Sequence, residues 1–127
     1  MKLNPDCIRD ILITVESATT FSECLILPYE KIESCELLKK YDLETILYHV
    51  RQCEWSHLLK GVSFTTETLY VHDLYPSGHQ FLNDIREDRN WNKVKSIAKK
   101  AGSNSLSALM QIATGVITSL ISANLSD

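Results

Sequence analysis

The stretch His72-Asp73-Leu74-Tyr75-Pro76-Ser77-Gly78-His79 sets two histidines seven positions apart, with an aspartate beside the first. These residue types build His–Asp reaction centres, where a carboxylate orients an imidazole for proton transfer. The local pattern argues against one here. The run Thr68–Leu74 reads as a strand, and neighbours on a strand point to opposite faces, so His72 and Asp73 cannot easily share a hydrogen bond. His79 falls in the first turn of the helix that follows. Asp73 is expected to reach back to that helix start, where a negative charge is favoured. The reading of this stretch is therefore structural.

A second constellation is His49, Cys53 and His57, spaced i, i+4, i+8. On one continuous helix these would share a face, and His and Cys are zinc ligands. Against this, Cys53 fits an apolar core stripe, and the helix is expected to end before His57. A structural site would also need a fourth ligand, for which Cys35 or His72 is the candidate. The expectation is no metal and no cofactor. Nucleophilic catalysis has no support either, since there is no G-x-S-x-G, no P-loop and no glycine-rich dinucleotide fingerprint.

The elements that would position these residues fit one folded domain. The chain has 127 residues, 44% apolar and 23% charged, enough for a single core without metal or disulfides. The four cysteines, Cys7, Cys24, Cys35 and Cys53, form no C-x-x-C. The start MKLNPDCIRD does not read as a secretory signal, so a cytoplasmic location is expected, with reduced cysteines serving as small apolar fillers.

Asn4-Pro5-Asp6 reads as a helix start, followed by Ile8, Ile11, Leu12 and Val15 on one stripe. Leu25-Ile26-Leu27, closed by Pro28, reads as a short edge strand. A second helix is predicted over about 30–40, with Ile32, Cys35 and Leu37 or Leu38 inward. Asp42 caps a third, whose inner face would be Leu43, Ile46, Leu47, Val50 and Cys53. Segments 57–64 and 68–74 read as an antiparallel hairpin, although Thr65-Thr66-Glu67 lacks the usual Asn-Gly or Asp-Gly signal. A helix from about Pro76 to Arg86 follows, burying Phe81, Leu82 and Ile85. Another, capped by Asp88, reaches Lys100 with Trp91, Val94, Ile97 and Ala98 on one side, and Gly102 stops it. An uncharged segment closes the chain, with Leu106, Leu109, Ala113, Val116, Leu120 and Ile121 on a helical stripe.

Three helices then a hairpin is the order of a winged helix with its wing. The predicted class is mainly α with a small antiparallel hairpin: a winged-helix-like domain over 1–86 and a C-terminal helical extension over 87–127.

The opening MKLNPDCIRDILITVE, the block ILYHVRQCEWSHLLKG, the block from His72 to Leu106 and the apolar tail together resemble a family common in phages and prophages and known only as a domain of unknown function. Its marks here are the MKLNxDCIRD start and the signature DLxPxGHxFLxxIR, residues 73–86. The resemblance implies a winged-helix-like fold and a phage or mobile-element origin, and assigns no catalytic residue. Residues 17–41 match least well. Tyr75 stands where the family has Thr, a better helix cap. His57 stands where it tends to have Gly.

Charge narrows the function. The net charge is −3, and residues 1–60 carry seven Lys/Arg against ten Asp/Glu. Outward residues of the third helix are expected to be Asp42, Glu44, Thr45, His49, Arg51, Gln52 and Glu54. Arg51 and Gln52 could read bases, but the acids around them repel phosphates. Residues 86–100 are the basic exception, with six basic and two acidic groups. Arg89, Lys93, Lys95, Lys99 and Lys100 are there the candidates for nucleic-acid or partner contact. The final helix carries too many Ser, Thr, Asn and Gln residues for a comfortable membrane span. It is expected to pack against its own domain or a second subunit, with Leu106, Leu109, Ala113, Val116 and Leu120 as candidate dimer contacts. The leading expectation is a non-enzymatic phage or prophage accessory protein acting through protein contacts as a regulator or inhibitor of a host process. The alternatives are a DNA-binding winged-helix regulator and, less favoured, a zinc-dependent enzyme.

Overall fold

Asn4 starts the first helix as its sequence suggests. In the computed structural model, which describes residues 1–125, the Asn4 Oδ1 accepts the backbone N–H groups of Asp6 at 3.0 Å and Cys7 at 3.3 Å, and α1 runs Pro5–Ala18. After it come β1 (Leu25–Pro28), a short 3₁₀ helix (Tyr29–Ser34), α2 (Leu43–Trp55), β2 (Leu59–Phe64), β3 (Thr68–Leu74), α3 (Pro76–Ile85), α4 (Asp88–Ala101) and α5 (Leu106–Leu125). The class is α+β: mostly helical, with one three-stranded antiparallel sheet in the order β1-β3-β2.

The described residues divide into two compact units, Met1–His79 and from Gln80 onward, with the division inside α3. In the first unit α1 packs on α2 and β3, and α2 packs on β2. Its interior is Cys7, Ile8, Ile11, Leu12 and Val15 of α1, Ile46, Val50 and Cys53 of α2, and Leu25, Leu27, Leu69 and Val71 of the sheet. The registers Leu25↔Val71↔Val62 and Leu27↔Leu69↔Phe64 line up the inner face, while Ile26, Tyr70 and Ser63 lie on the outer one. The hairpin turn is held by Thr65, whose hydroxyl accepts the Thr68 N–H at 2.9 Å and the Glu67 N–H at 3.3 Å. That hydroxyl does the work an Asn-Gly turn would do elsewhere.

In the first unit three expectations need correction. The helix over 30–40 is a 3₁₀ helix followed by turns: Ile32 and Leu38 are buried as expected, but the segment closes through i→i+3 bonds such as Cys35 N–H to the Ile32 carbonyl at 2.9 Å. On α2, Leu43 is 36% exposed. His49, expected to face outward, is fully buried. Its Nε2 accepts the Asn4 N–H at 2.7 Å, and its Nδ1 lies 2.7 Å from the Thr45 carbonyl. A backbone N–H can only donate, so Nε2 is bare and Nδ1 carries the proton.

In the second unit α5 packs along α4. Trp91, Val94 and Ala98 are buried on α4, and Leu106, Leu109, Ala113 and Val116 on α5. Gly102 ends α4 in the left-handed region at φ 74°, where glycine carries no steric penalty. Glu87, not Asp88, occupies the N-cap position of α4, and its side chain makes no capping bond. By length and composition α5 could cross a membrane, with a mean hydropathy of 1.6. One such helix, weakly apolar and 22% buried along the stripe facing α4, makes no clear span.

Replacing His49 with Leu keeps the volume but strands the Asn4 N–H. Urea unfolding should show a loss of about 1–3 kcal/mol, the cost of an unpaired buried polar group; an unchanged midpoint would contradict the bond. Burial, with help from Asp10, pushes the Cys7 thiol up to about 12, and burial raises Cys53 further. Folded pKa values above the unfolded one mean that stability is full below the ordinary thiol value of 9.0 and falls as pH rises from there towards 12. Thiol reagents at about pH 8 should accordingly modify the half-exposed Cys24 and Cys35 and spare Cys7 and Cys53 until the chain unfolds.

Candidate functional site

The His72–His79 stretch is a strand-to-helix corner. His72 is exposed, and Asp73 uses its carboxylate on the Leu74 N–H at 2.7 Å, with His79 Nε2 at 3.9 Å. Asp73 does reach back to the helix start, at a distance too long for a strong bond. The signature glycine has a packing reason: a Cβ on Gly78 would fall on the Leu58 carbonyl oxygen. That carbonyl also accepts the Tyr75 N–H at 2.9 Å, and the Ser77 hydroxyl donates to the His57 carbonyl at 2.5 Å. The signature therefore docks the first turn of α3 onto the end of α2, and no proton-transfer geometry results.

The metal constellation is dispersed. His49 spends both ring nitrogens on the protein, Cys53 is fully buried, and His57 sits beyond the end of α2 at φ 57°. Among the described residues no three His, Cys, Asp or Glu side chains are arranged to hold a metal ion.

A polar cleft of about 380 Å³ lies beside α1, lined by Asn4, Asp6, Arg9, Asp10, Lys40 and Tyr41. Asp10, 7% exposed, accepts from the Tyr41 hydroxyl at 2.7 Å and pairs with Lys40 Nζ at 3.0 Å. Burial and the Asp10 carboxylate push the Tyr41 phenol well above its ordinary range, so it serves as a donor and not a base. The cluster pins the turns after the 3₁₀ helix onto α1.

The arrangement best suited to recognition is the outward side of α2. Asp42 caps the helix through the Thr45 N–H at 2.8 Å, and its hydrogen bonds with Thr45 hold its carboxyl below the usual range. With Ile46, His49, Val50 and Cys53 committed inward, the opposite stripe is Glu44, Leu47, Tyr48, Arg51 and Trp55. Glu44, Leu47, Tyr48 and Arg51 of this stripe, the hairpin residues Phe64 and Thr65, and Tyr29 and Met1 border a cleft of about 540 Å³, with Trp55 outside its lining. Tyr29 donates its hydroxyl to the Thr65 carbonyl at 2.7 Å, fixing that wall. Trp55 is 65% exposed, Phe64 41%, and the Arg51 guanidinium stacks over the Trp55 ring at 5.2 Å. Aromatic and Arg side chains gathered around a concave apolar surface are the composition of protein-binding hot spots.

Of the residues singled out from sequence, Arg51 belongs to this cleft, and Gln52 is half-buried on the flank of the same helix. Arg89, Lys93 and Lys100 form one exposed line on α4, while Lys99 and the half-buried Lys95, which lies 5.5 Å from the Trp91 ring, sit on its flank. Leu106, Leu109, Ala113 and Val116, expected as dimer contacts, are instead interior residues of their own chain, and Leu120 is half-buried. Sequence reasoning missed Tyr48, Trp55 and Phe64. The available signal was the i, i+4, i+7 and i+11 spacing of Glu44, Tyr48, Arg51 and Trp55, opposite the core stripe.

Comparison with known proteins agrees with a single lineage over nearly all of the chain. A Haemophilus influenzae protein described as "Uncharacterized protein" is 30% identical over 125 residues, covering 95% of this chain and 99% of that one. No solved structure matches the chain significantly. A family model matches residues 2–104, from just before α1 to the connection between α4 and α5, and on that span the chain belongs to the family described as "Hypothetical protein (DUF2513)".

Proposed function

We propose that this protein is a non-enzymatic accessory protein of phage or prophage origin that acts in the bacterial cytoplasm by gripping another protein with α2 and the β2–β3 hairpin. The observation that carries the reading is Arg51, which lines an open cleft with Tyr48, Leu47 and Phe64 and stacks over the exposed Trp55 ring beside it. Element order supports a winged-helix-like scaffold: helices and a short first strand precede a hairpin, and β3 lies between β1 and β2. In this scheme α2 stands where a recognition helix would and the hairpin is the wing.

Charge favours a protein over DNA as the target. The exposed part of α2 offers Arg51 against Asp42 and Glu44, with the half-exposed Glu54 adding another acid. Phosphate binding requires a surplus of cations. DNA remains the second reading because Arg89, Lys93 and Lys100 make an exposed basic line on α4.

Capture experiments with the full chain test this. A host protein retained by the wild type should be lost, about 30-fold or more in affinity, with Trp55→Ala and with Phe64→Ala, each checked for an unchanged circular dichroism spectrum. Lys93→Ala and Lys100→Ala should not matter. Duplex DNA should bind weakly and with steep salt dependence. Capture that ignores both aromatic substitutions, or sequence-specific duplex binding at physiological salt abolished by Arg51→Ala, would overturn the ranking.

A further inference from the structure

We propose that the outward face of α2 is self-complementary, and that its occupant when no other protein holds it is a second copy of this chain. The two α2 helices would lie antiparallel across a two-fold axis, with Glu44 of each copy against Arg51 of the other. The inference rests on the reading of this face as a protein-contact surface, and it adds what covers the face at rest.

The pattern is in the order of the residues. Glu44, Leu47, Tyr48 and Arg51 stand at i, i+3, i+4 and i+7 on one stripe of the helix. Read forward, the stripe is acid, apolar, aromatic, base; read backward, it is base, aromatic, apolar, acid. An antiparallel pairing therefore sets Glu44 opposite Arg51 at both ends, about 10 Å apart along each helix. Leu47 meets Tyr48 in the middle. A parallel pairing would set like charges together. A closed dimer needs one patch that matches itself under two-fold rotation, and this stripe does so in charge and in polarity.

Other features of α2 fit the same arrangement. The inward stripe of Ile46, His49, Val50 and Cys53 is committed to the core, whereas Glu44 and Arg51 are exposed and Leu47 and Tyr48 half-buried at the cleft. An acid in the first turn and a base further on also suit the helix dipole. The dipole, however, gives no reason for Leu47 and Tyr48 to stand between them or for Trp55 to remain 65% exposed beside Arg51. Rim charges of this kind select partner and orientation more than they supply affinity. Another protein that uses the cleft must then displace the second copy, so self-pairing sets the threshold for engagement.

Sedimentation of the full chain over micromolar concentrations tests the pairing. The wild type should be a dimer. Glu44→Arg alone and Arg51→Glu alone should each weaken self-association at least about tenfold. Mixed in equal amounts, these two variants should form a heterodimer, because every contact between them is again acid to base. The double variant Glu44→Arg/Arg51→Glu should recover the homodimer. A monomeric wild type, single variants that dimerise like the wild type, or a mixture that stays monomeric would overturn the proposal. A monomeric wild type whose partner capture still depends on Trp55 and Phe64 would overturn the self-pairing alone. Capture indifferent to those aromatics, with the charge-swap pattern intact, would overturn only the proposed function.

Discussion

The imidazole of His49 is the fixed point of the first unit. It lies fully buried between the Asn4 N–H and the Thr45 carbonyl, both at 2.7 Å. Asn4 itself caps α1, so one side chain joins the beginning of the first helix to the middle of α2. The bond fixes the rotation of α2 about its own axis. With Ile46, Val50 and Cys53 also turned inward, the stripe of Glu44, Leu47, Tyr48, Arg51 and Trp55 has no freedom to face anything but solvent or a partner. What α2 presents outside follows from what it must satisfy inside.

The same dependence runs through the corner at the start of α3. The end of α2 leaves through His57 in the left-handed region, which turns the Leu58 carbonyl towards Tyr75. Gly78 is required because that carbonyl fills the space a side chain would take. A sequence signature that looks like catalytic machinery, with His and Asp at short range, is a docking joint that sets where β3 ends and α3 begins. The hairpin it anchors carries Phe64, the far wall of the cleft.

Much of this was legible in the residues, because local physics sets it. Asn4 and Asp42 as caps, Gly102 as a stop, the α1 stripe and the edge strand before Pro28 all follow from backbone bonding and periodicity. His49 stands at i+3 from Ile46 and i−4 from Cys53, on the core stripe, but its polarity argues for the outside, and nothing local shows that a distant backbone N–H needs an acceptor. The segment after Pro28 differs for another reason: Ile32, Cys35 and Leu38 stand at i, i+3 and i+6, a three-residue period that suits i→i+3 closure and not an α-helix. The α5 stripe was read as apolar correctly, but whether such a stripe meets α4 or a second chain is a tertiary question that spacing cannot answer. Tyr48, Trp55 and Phe64 went unnoticed because exposure of an aromatic is visible only once the core has chosen its own.

The tautomer of His49 is the most direct measure of this constraint. Nitrogen-15 chemical shifts of the imidazole at about pH 8 should show Nδ1 protonated and Nε2 bare, with the ring fixed against Thr45 and Asn4. A ring with its proton on Nε2, or one averaging between the two forms as a solvent-exposed histidine does, would mean that α1 and α2 are not joined there and that the outward stripe of α2 is not set by this bond.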